Sequence, residues 1–550
     1  MANSNYNVES SSQCLEKEGG ATLHHCHHEN SQQDIDAEGD EPQSKPYRTY
    51  KKLRRPITHI LSFLLFTGWW IASLILHRKD KGWVIPFLLW LCVSLRILFW
   101  HVSSRHVSNP LKIAWKNTAL VAYGMIPARF RTVAGAALTL SAMIVGSFVS
   151  EESANNTREN RAVSLVGMGL IIAGFWVTSA HRSRINWRTV IAGMLMQYII
   201  GLFVLRTGTG YSIFSFIAGL AGDLLGFSRD GVIFLTDSTV PGHPWFLIGV
   251  IPAIIFFISL TQVLYHFGII QWLIKKFATF VFWALEVSGV EAVVAAATPF
   301  LGQGESAMLV RPYIPHMTNA EIHQIMTCGF ATISGSVLVG YISLGLNAEV
   351  LVSSCIMSIP ASLAISKLRY PETEETLTAG QVTIPKDDDY KSENFLHAFA
   401  NGAWLGLKIG GSIVAALLPT LTLQTILGYA LFPVAFFLGL PRNKDEILLV
   451  SQLIAEKIIT NEYNAFNQLA HDPRYAGLSA RSELIALYSL CGFGNLGSLG
   501  VQIGILGQIA PSRAGEVSRL AFSALISGVF STLSSAAIAG LVITTQGSKI

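Results

Sequence analysis

The sequence predicts an all-α polytopic membrane protein, with about eleven transmembrane helices, two re-entrant helical hairpins and interrupted helices arranged as an inverted repeat. Three observations carry this. Of 550 residues, 51% are hydrophobic and only 13% are charged, against about 25% charged in a soluble domain. Apolar runs of about twenty residues recur from Pro56 onward, each long enough to cross a hydrocarbon core of roughly 30 Å as a helix. Two further apolar stretches, 282–315 and 445–470, are broken near their middles by polar residues. A soluble fold would have to bury nearly every helix on all sides.

Residues 1–50 are polar and poor in aromatics. Such a segment buries too little apolar area to offset its ordering entropy, which predicts a disordered cytosolic tail. No cleavable signal peptide precedes it. Its "HHCHH" (His24 to His28) lacks the ligand spacing of a structural metal site and reads as tail composition. "KKLRR" (Lys51 to Arg55) adjoins the first span and places the tail inside.

Region 51–130 holds extra N-terminal membrane spans, starting with 56–76 and 83–100. Region 131–242 holds the scaffold spans 131–150, 163–180 and 188–205 and an amphipathic interfacial helix. The acidic loop 151–162 is predicted outside and the basic loop 181–188 inside, whereas the basic loop 77–82 violates the charge rule. The outer loop carries a glycosylation sequon, Asn155-Asn156-Thr157. The first repeat, 243–366, comprises a span at 243–265, hairpin 1 (282–315) and spans at 320–345 and 349–366. A polar loop at 367–394 leads to the remainder, 395–550: a long scaffold span (395–425), hairpin 2 (445–470) and spans at 483–508 and 517–545.

The net charge of +4 comes from basic residues beside apolar spans, which argues against a nucleic-acid partner. Six scattered cysteines (Cys14, Cys26, Cys92, Cys328, Cys355, Cys491) form neither a disulfide framework nor a zinc pattern. No cofactor is expected.

"NAEIHQIMTCGFATISGSVLVG" (Asn319 to Gly340) and "ARSELIALYSLCGFGNLGSLGVQ" (Ala480 to Gln502) repeat one plan. Each has an early acidic residue, then Cys-Gly-Phe, then a small polar residue two positions on, Thr332 or Asn495. Upstream of each lies a hairpin with a carboxylate at its tip, Glu305 in "GQGES" and Glu462 in "TNEYN". A polar hairpin followed by a Gly-interrupted span, occurring twice, points to a transporter whose site lies near the membrane midplane. Gln303 and Asn495 offer donors and an acceptor, Glu305 and Glu462 accept, and Ser498 does both. That set suits a neutral ligand rich in hydroxyls and ring nitrogens, with Phe493 giving a flat face to a planar ring. Lone Gly and Ser residues in spans serve close packing more often than sites. Carboxylates at depth cost at least about 2.5–3.5 kcal/mol, so their retention marks function. Glu305 capping a half-helix is the structural alternative.

"GQGESAMLVRPYIPHMT", "GFATISGSV", "SIPASLAISKLRYPETEE", "NEYNAF" and "CGFGNLGSLG" together resemble the concentrative nucleoside transporters, over about 163–545. Three extra N-terminal spans resemble the eukaryotic branch, in a fungal style. The resemblance implies a homotrimer in the plasma membrane, with a transport part that moves like an elevator against a scaffold, and nucleosides bound between hairpins and interrupted helices. It implies that Gln303, Gly304 and Glu305 meet the nucleobase, that Glu462, Asn495 and Ser498 meet the ribose, and that Phe493 lines the cleft. Two departures matter. Gly304 stands where the family has Ser or Thr, which opens base selectivity and leaves room for a purine. Thr298 stands where sodium-coupled members have Asn. The other sodium-ligand positions are Leu301, Thr332 and Ile333, partly through backbone carbonyls. H⁺ coupling is therefore favoured over Na⁺, with Glu305 as proton acceptor ahead of Glu462. Two other classes fit the residues in part. A membrane enzyme would use the paired carboxylates for acid–base work, though the chain has no phosphate-binding glycine loop and no sizeable soluble domain. An uncoupled receptor or channel would bind without accumulating.

Overall fold

A computed structural model describes residues 45–76, scattered positions between 87 and 94, and 126–542 apart from 154–155, 241–247, 249–250, 377–391 and 418–422. Most of the tail, its His/Cys cluster, Asn155 of the sequon and most of the 83–100 span lie outside the described residues. The chain divides into two compact units, 1–125 and 126–550.

In the first unit α1 (Lys45–Leu76) is a long helix whose apolar side chains, Leu61, Leu65 and Ile75 among them, are exposed as a lipid-facing helix requires. Trp70 stacks on Trp90 at 4.5 Å, and Trp90 Nε1 donates to Thr67 Oγ1 at 2.8 Å.

The second unit begins with α2 (Ala128–Phe148), α3 (Arg158–Val177), α4 (Trp187–Arg206) and α5 (Gly208–Leu235). Thr157 and Asn186 cap α3 and α4 by accepting amide hydrogen bonds, as their residue types favour. Next come α6 (Ile251–His266) and α7 (Ile269–Leu285). The first repeat continues with α8 (Gly289–Met308), α9 (Asn319–Ala331), α10 (Gly335–Ser343) and α11 (Ala348–Arg369). Then follow α12 (Phe395–Leu417), α13 (Leu423–Phe437), α14 (Lys444–Ile459), α15 (Glu462–His471), α16 (Ala480–Leu490), α17 (Leu496–Ile509) and α18 (Ala514–Val542).

Among the described residues, five helices are long and apolar enough to cross a membrane: Phe130–Phe148, Arg158–Val177, Trp187–Arg206, Ala348–Arg369 and Pro511–Val542. The last two are mostly buried inside the protein and form the centre on which α4 and α3 pack. Small residues set that approach. A Cβ on Gly193 would come within 2.7 Å of Pro360 O, so α4 rests backbone to backbone on α11. Gln197 then binds Ser534 Oγ at 3.0 Å and Ser535 Oγ at 2.8 Å, and Ser535 meets Ser358 at 3.0 Å, which joins α4, α11 and α18.

The hairpins and interrupted helices fall where the glycines and small polar residues predict, with corrected limits. Hairpin 1 is α8 itself: residues 282–285 of the expected stretch belong to α7, and the chain turns at Gly302 (φ 78°, ψ 177°). Hairpin 2 is α14 and α15, broken at Thr460–Asn461. The expected spans 320–345 and 483–508 are each two half-helices, interrupted at 332–334 and 491–495. Of the expected 395–425 span, α12 describes 395–417, residues 418–422 lie outside the described residues, and α13 begins at Leu423. Sequence periodicity also missed α7, which Lys275 and Lys276 make too polar to read as a span.

Candidate functional site

In the first repeat the same local device opens both hairpin 1 and the helix after it. Ser288 and Glu291 form a reciprocal capping box at the head of α8, and Thr318 and Glu321 form another at the head of α9. In the second repeat Glu446 of α14 accepts from Ser479 Oγ at 2.7 Å and also binds Ser482 Oγ, so hairpin 2 is tied to the start of α16. Glu291 further pairs with Lys367 at 2.6 Å, anchoring hairpin 1 to the end of α11.

The interruptions leave half-helix N-termini inside the protein, where the macrodipole is positive and amides lack partners. Ser334 caps α10, Asn461 caps α15 and Asn495 caps α17, each through its side-chain oxygen. Without these caps the amides would be orphaned in a setting that excludes water.

The two interruptions touch. Phe493 N donates to Thr332 O at 3.3 Å, joining the second break to the first. Gly492, at φ +110°, allows this: a Cβ there would meet Phe330 O at 2.8 Å. Hairpin 1 reaches the first break, because a Cβ on Gly302 would lie 3.0 Å from Ser334 Cβ. It also reaches the second repeat, where Gln502 Nε2 of α17 donates to Gln303 O at 3.3 Å.

Hairpin 2 closes the set. Glu462 opens α15 and is only 5% exposed. Its Oε1 accepts from Tyr341 of α10 at 2.8 Å, and its Oε2 accepts from Asn495 Nδ2 at 2.8 Å. Tyr341 also packs its ring on Phe466 at 4.8 Å. Asn495 uses its Oδ1 to accept Ser498 N at 2.7 Å, so one amide both caps α17 and holds Glu462. Ser498 and Phe493 lie beside it, at 8% and 9% exposure. Gln303, Gly304 and Glu305 form the first turn of the second arm of hairpin 1 rather than its apex, which is Gly302. The side chains of Leu301 and Glu305 lie outside those described.

Three residues here escaped the sequence reading. Tyr341 and Gln502 carry polar groups into the centre, but nothing in their local spacing marks them. Lys457 did carry a signal, being an ionisable residue in an apolar hairpin arm five positions before Glu462. It is fully buried, and its Nζ donates to Ser489 O at 2.8 Å, Cys491 O at 3.2 Å and Thr532 Oγ1 at 3.0 Å. A cation at the C-terminus of α16 satisfies carbonyls that the interruption frees and opposes the negative end of the helix dipole.

The description "Na+ dependent nucleoside transporter C-terminus" matches residues 350–420 and 417–540, "Na+ dependent nucleoside transporter N-terminus" matches 166–239, and "Nucleoside recognition" matches 247–347. Solute carrier family 28 member 3 of Eptatretus stoutii is 35% identical over 418 residues, which is 70% of this chain and 61% of that protein. The human protein of the same name is 33% identical over 425 residues, 70% of this chain and 60% of its own length. Sodium/nucleoside cotransporter 2 of Rattus norvegicus is 31% identical over 447 residues, covering 74% and 67%. The solved structure of CNTnw in an inward-facing substrate-bound state aligns with a TM-score of 0.66 at 34% identity, over 70% of this chain and 98% of that one. The chain belongs to the concentrative nucleoside transporter family. It spans about three fifths of the length of the first of these relatives.

The matched stretches run along the fold in order: 166–239 covers most of α3 and all of α4 and α5, 247–347 covers α6 to α10 with hairpin 1 and the first break, and 350–540 runs from α11 through the second repeat. In this family member, of the four positions expected as sodium ligands, Thr332 and Ile333 lie in the first break and Thr298 packs on α9 just before it. Thr298 Oγ1 donates to Val294 O at 2.5 Å and leans on Cys328 Sγ at 3.3 Å. Thr332 Oγ1 donates to Cys328 O at 3.0 Å, and Ile333 O accepts from Cys355 Sγ at 3.5 Å.

Proposed function

We propose that this chain is a secondary active importer of nucleosides, driven by a cation gradient. The observation that carries the reading is Glu462. Its buried carboxylate at the head of α15 is held by Tyr341 from the first repeat and Asn495 from the second, with Ser498 adjacent. A vicinal diol can exchange hydroxyl hydrogen bonds with such a carboxylate and amide, and the relatives named above include sodium/nucleoside cotransporters. In this reading Glu462, Asn495 and Ser498 take the ribose, Phe493 lines the cleft, and Gln303, Gly304 and Glu305 take the base. The missing hydroxyl at Gly304 leaves space for a purine.

The coupling ion in our reading is H⁺, although two of the matched family descriptions and the name of the Rattus norvegicus relative specify sodium. Sodium favours several hard oxygen ligands. The Thr298 hydroxyl is short, is spent on its own helix, and lies against a soft thiol. Both oxygens of Glu462 already accept protein hydrogen bonds, so Glu305 is assigned the transported proton. The protein works at the plasma membrane as a homotrimer, and each transport part, built from the hairpins and broken helices, moves as an elevator against its scaffold.

Uptake of labelled adenosine and uridine into cells lacking their own nucleoside transporters tests this directly. Saturable accumulation above the external concentration, abolished by a protonophore, is expected. No saturable uptake at any pH overturns the reading, and uptake that only equilibrates replaces it with an uncoupled channel. If Glu305→Gln matched wild type from pH 5 to 8, the proton role of Glu305 would be lost.

A further inference from the structure

Gln502 lies on α17, fully buried, and no role above accounts for its side-chain oxygen. Its Nε2 donates to Gln303 O, which settles which end of the amide is the oxygen. That oxygen, Oε1, is buried with no hydrogen-bond partner, and so is Oε1 of Gln303. Two amide acceptors therefore lack donors on two residues in direct contact, one from each repeat. Gly329 makes the meeting possible: a Cβ there would lie 2.3 Å from Gln502 Nε2 and 3.0 Å from Gln303 Cβ. An orphaned buried acceptor is destabilising, and a pair of them held by a space-making glycine fits a donor that arrives from outside.

We infer that Gln502 is a specificity-determining residue for the nucleobase, its Oε1 and that of Gln303 together accepting the two N–H bonds of an exocyclic amino group. The inference rests on the nucleoside-import reading and deepens it. Adenosine and cytidine carry such an amino group. Inosine and uridine place a carbonyl at the same position, whose lone pairs would face two more oxygens. A site built to accept a donor rejects the analogue lacking it, because its own polar groups are then left unpaired.

The first measurement needs no variant. Binding to the purified wild-type protein is compared for adenosine and purine riboside, which differ only in the amino group, and purine riboside is expected to bind at least about tenfold more weakly. The second measures uptake ratios for adenosine over inosine and cytidine over uridine. Gln502→Leu, similar in bulk with neither donor nor acceptor, is expected to lower both ratios about tenfold, mostly through KM. Gly329→Ala, which pushes into the Gln502 amide, is expected to shift them in the same direction. Equal binding of adenosine and purine riboside overturns the inference, as do ratios that stay within about twofold of wild type in both variants. If wild type takes up no nucleoside at all, the functional reading itself has failed, a different result from unchanged ratios.

Discussion

Glu462 is held from two sides by groups whose removal can be measured separately. Tyr341→Phe deletes one hydroxyl and keeps the ring packing on Phe466. A hydrogen bond to a charged group is worth about 1.5–3 kcal/mol, so a KM rise of roughly tenfold or more for nucleoside is expected at unchanged surface abundance. Asn495→Leu removes the second donor and the α17 cap together and is expected to cost more. Because both act through one carboxylate, the double variant should fall short of the sum by about 0.5–3 kcal/mol. An additive result would show that they do not share Glu462. Lys457 makes a different prediction, for stability. Lys457→Met leaves the carbonyl of Cys491 without its donor and that of Ser489 with only the longer bond from Thr532 Oγ1 at 3.3 Å. At about 1–3 kcal/mol per orphaned group, the detergent-solubilised protein should melt several degrees lower. An unchanged melting temperature would mean that the interruption of α16 and α17 needs no cation.

At the scale of elements, hairpin 1 turns on a backbone that only glycine adopts readily. Gly302→Ala meets two obstacles: φ of +78°, and a Cβ 3.0 Å from Ser334 Cβ. Adding Ser334→Gly removes the second obstacle at a cost of a few tenths of a kcal/mol for the α10 cap. Uptake by Gly302→Ala should fall strongly, and the double variant should recover part of it but not all. Full recovery would show that crowding alone mattered, and none that the backbone conformation alone did. This is also where the sequence was most legible. The two breaks and both hairpins could be read because interrupting a helix inside a membrane demands glycine, an asparagine or serine cap and a polar apex, all local requirements. Tyr341 and Gln502 were not legible, because a tyrosine or glutamine on an apolar half-helix declares its partner only after the other repeat packs against it. Helix α7 was missed for the converse reason, since its two lysines hide an apolar face that the fold buries at Ile274, Ala278 and Val281.

Across the whole molecule, neither repeat completes the centre alone. Glu462 needs Tyr341, Gln303 needs Gln502, and Thr332 meets Phe493. Movement of one hairpin is therefore registered by half-helices of both repeats, which is the property a coupled carrier requires. Coupling also needs an ion that binds only when these parts are assembled, and in the reading proposed above Thr298 is the residue that decides which ion. It is fully buried against Cys328, one turn before the break in α8. In wild type, nucleoside-evoked current should grow as external pH falls from about 7.5 to 5.5, a hundredfold rise in proton concentration worth about 2.8 kcal/mol of driving force at about 1.4 kcal/mol per decade, and should be indifferent to replacing Na⁺ with choline. Thr298→Asn replaces a hydroxyl spent on Val294 O with an amide carbonyl, a stronger hard-oxygen ligand for sodium. The variant should gain a Na⁺-stimulated component of current while the proton-driven part shrinks. A wild-type current that required Na⁺ at every pH would assign the coupling to sodium and make the hydroxyl of Thr298, with the carbonyls around the break, a sufficient ligand set.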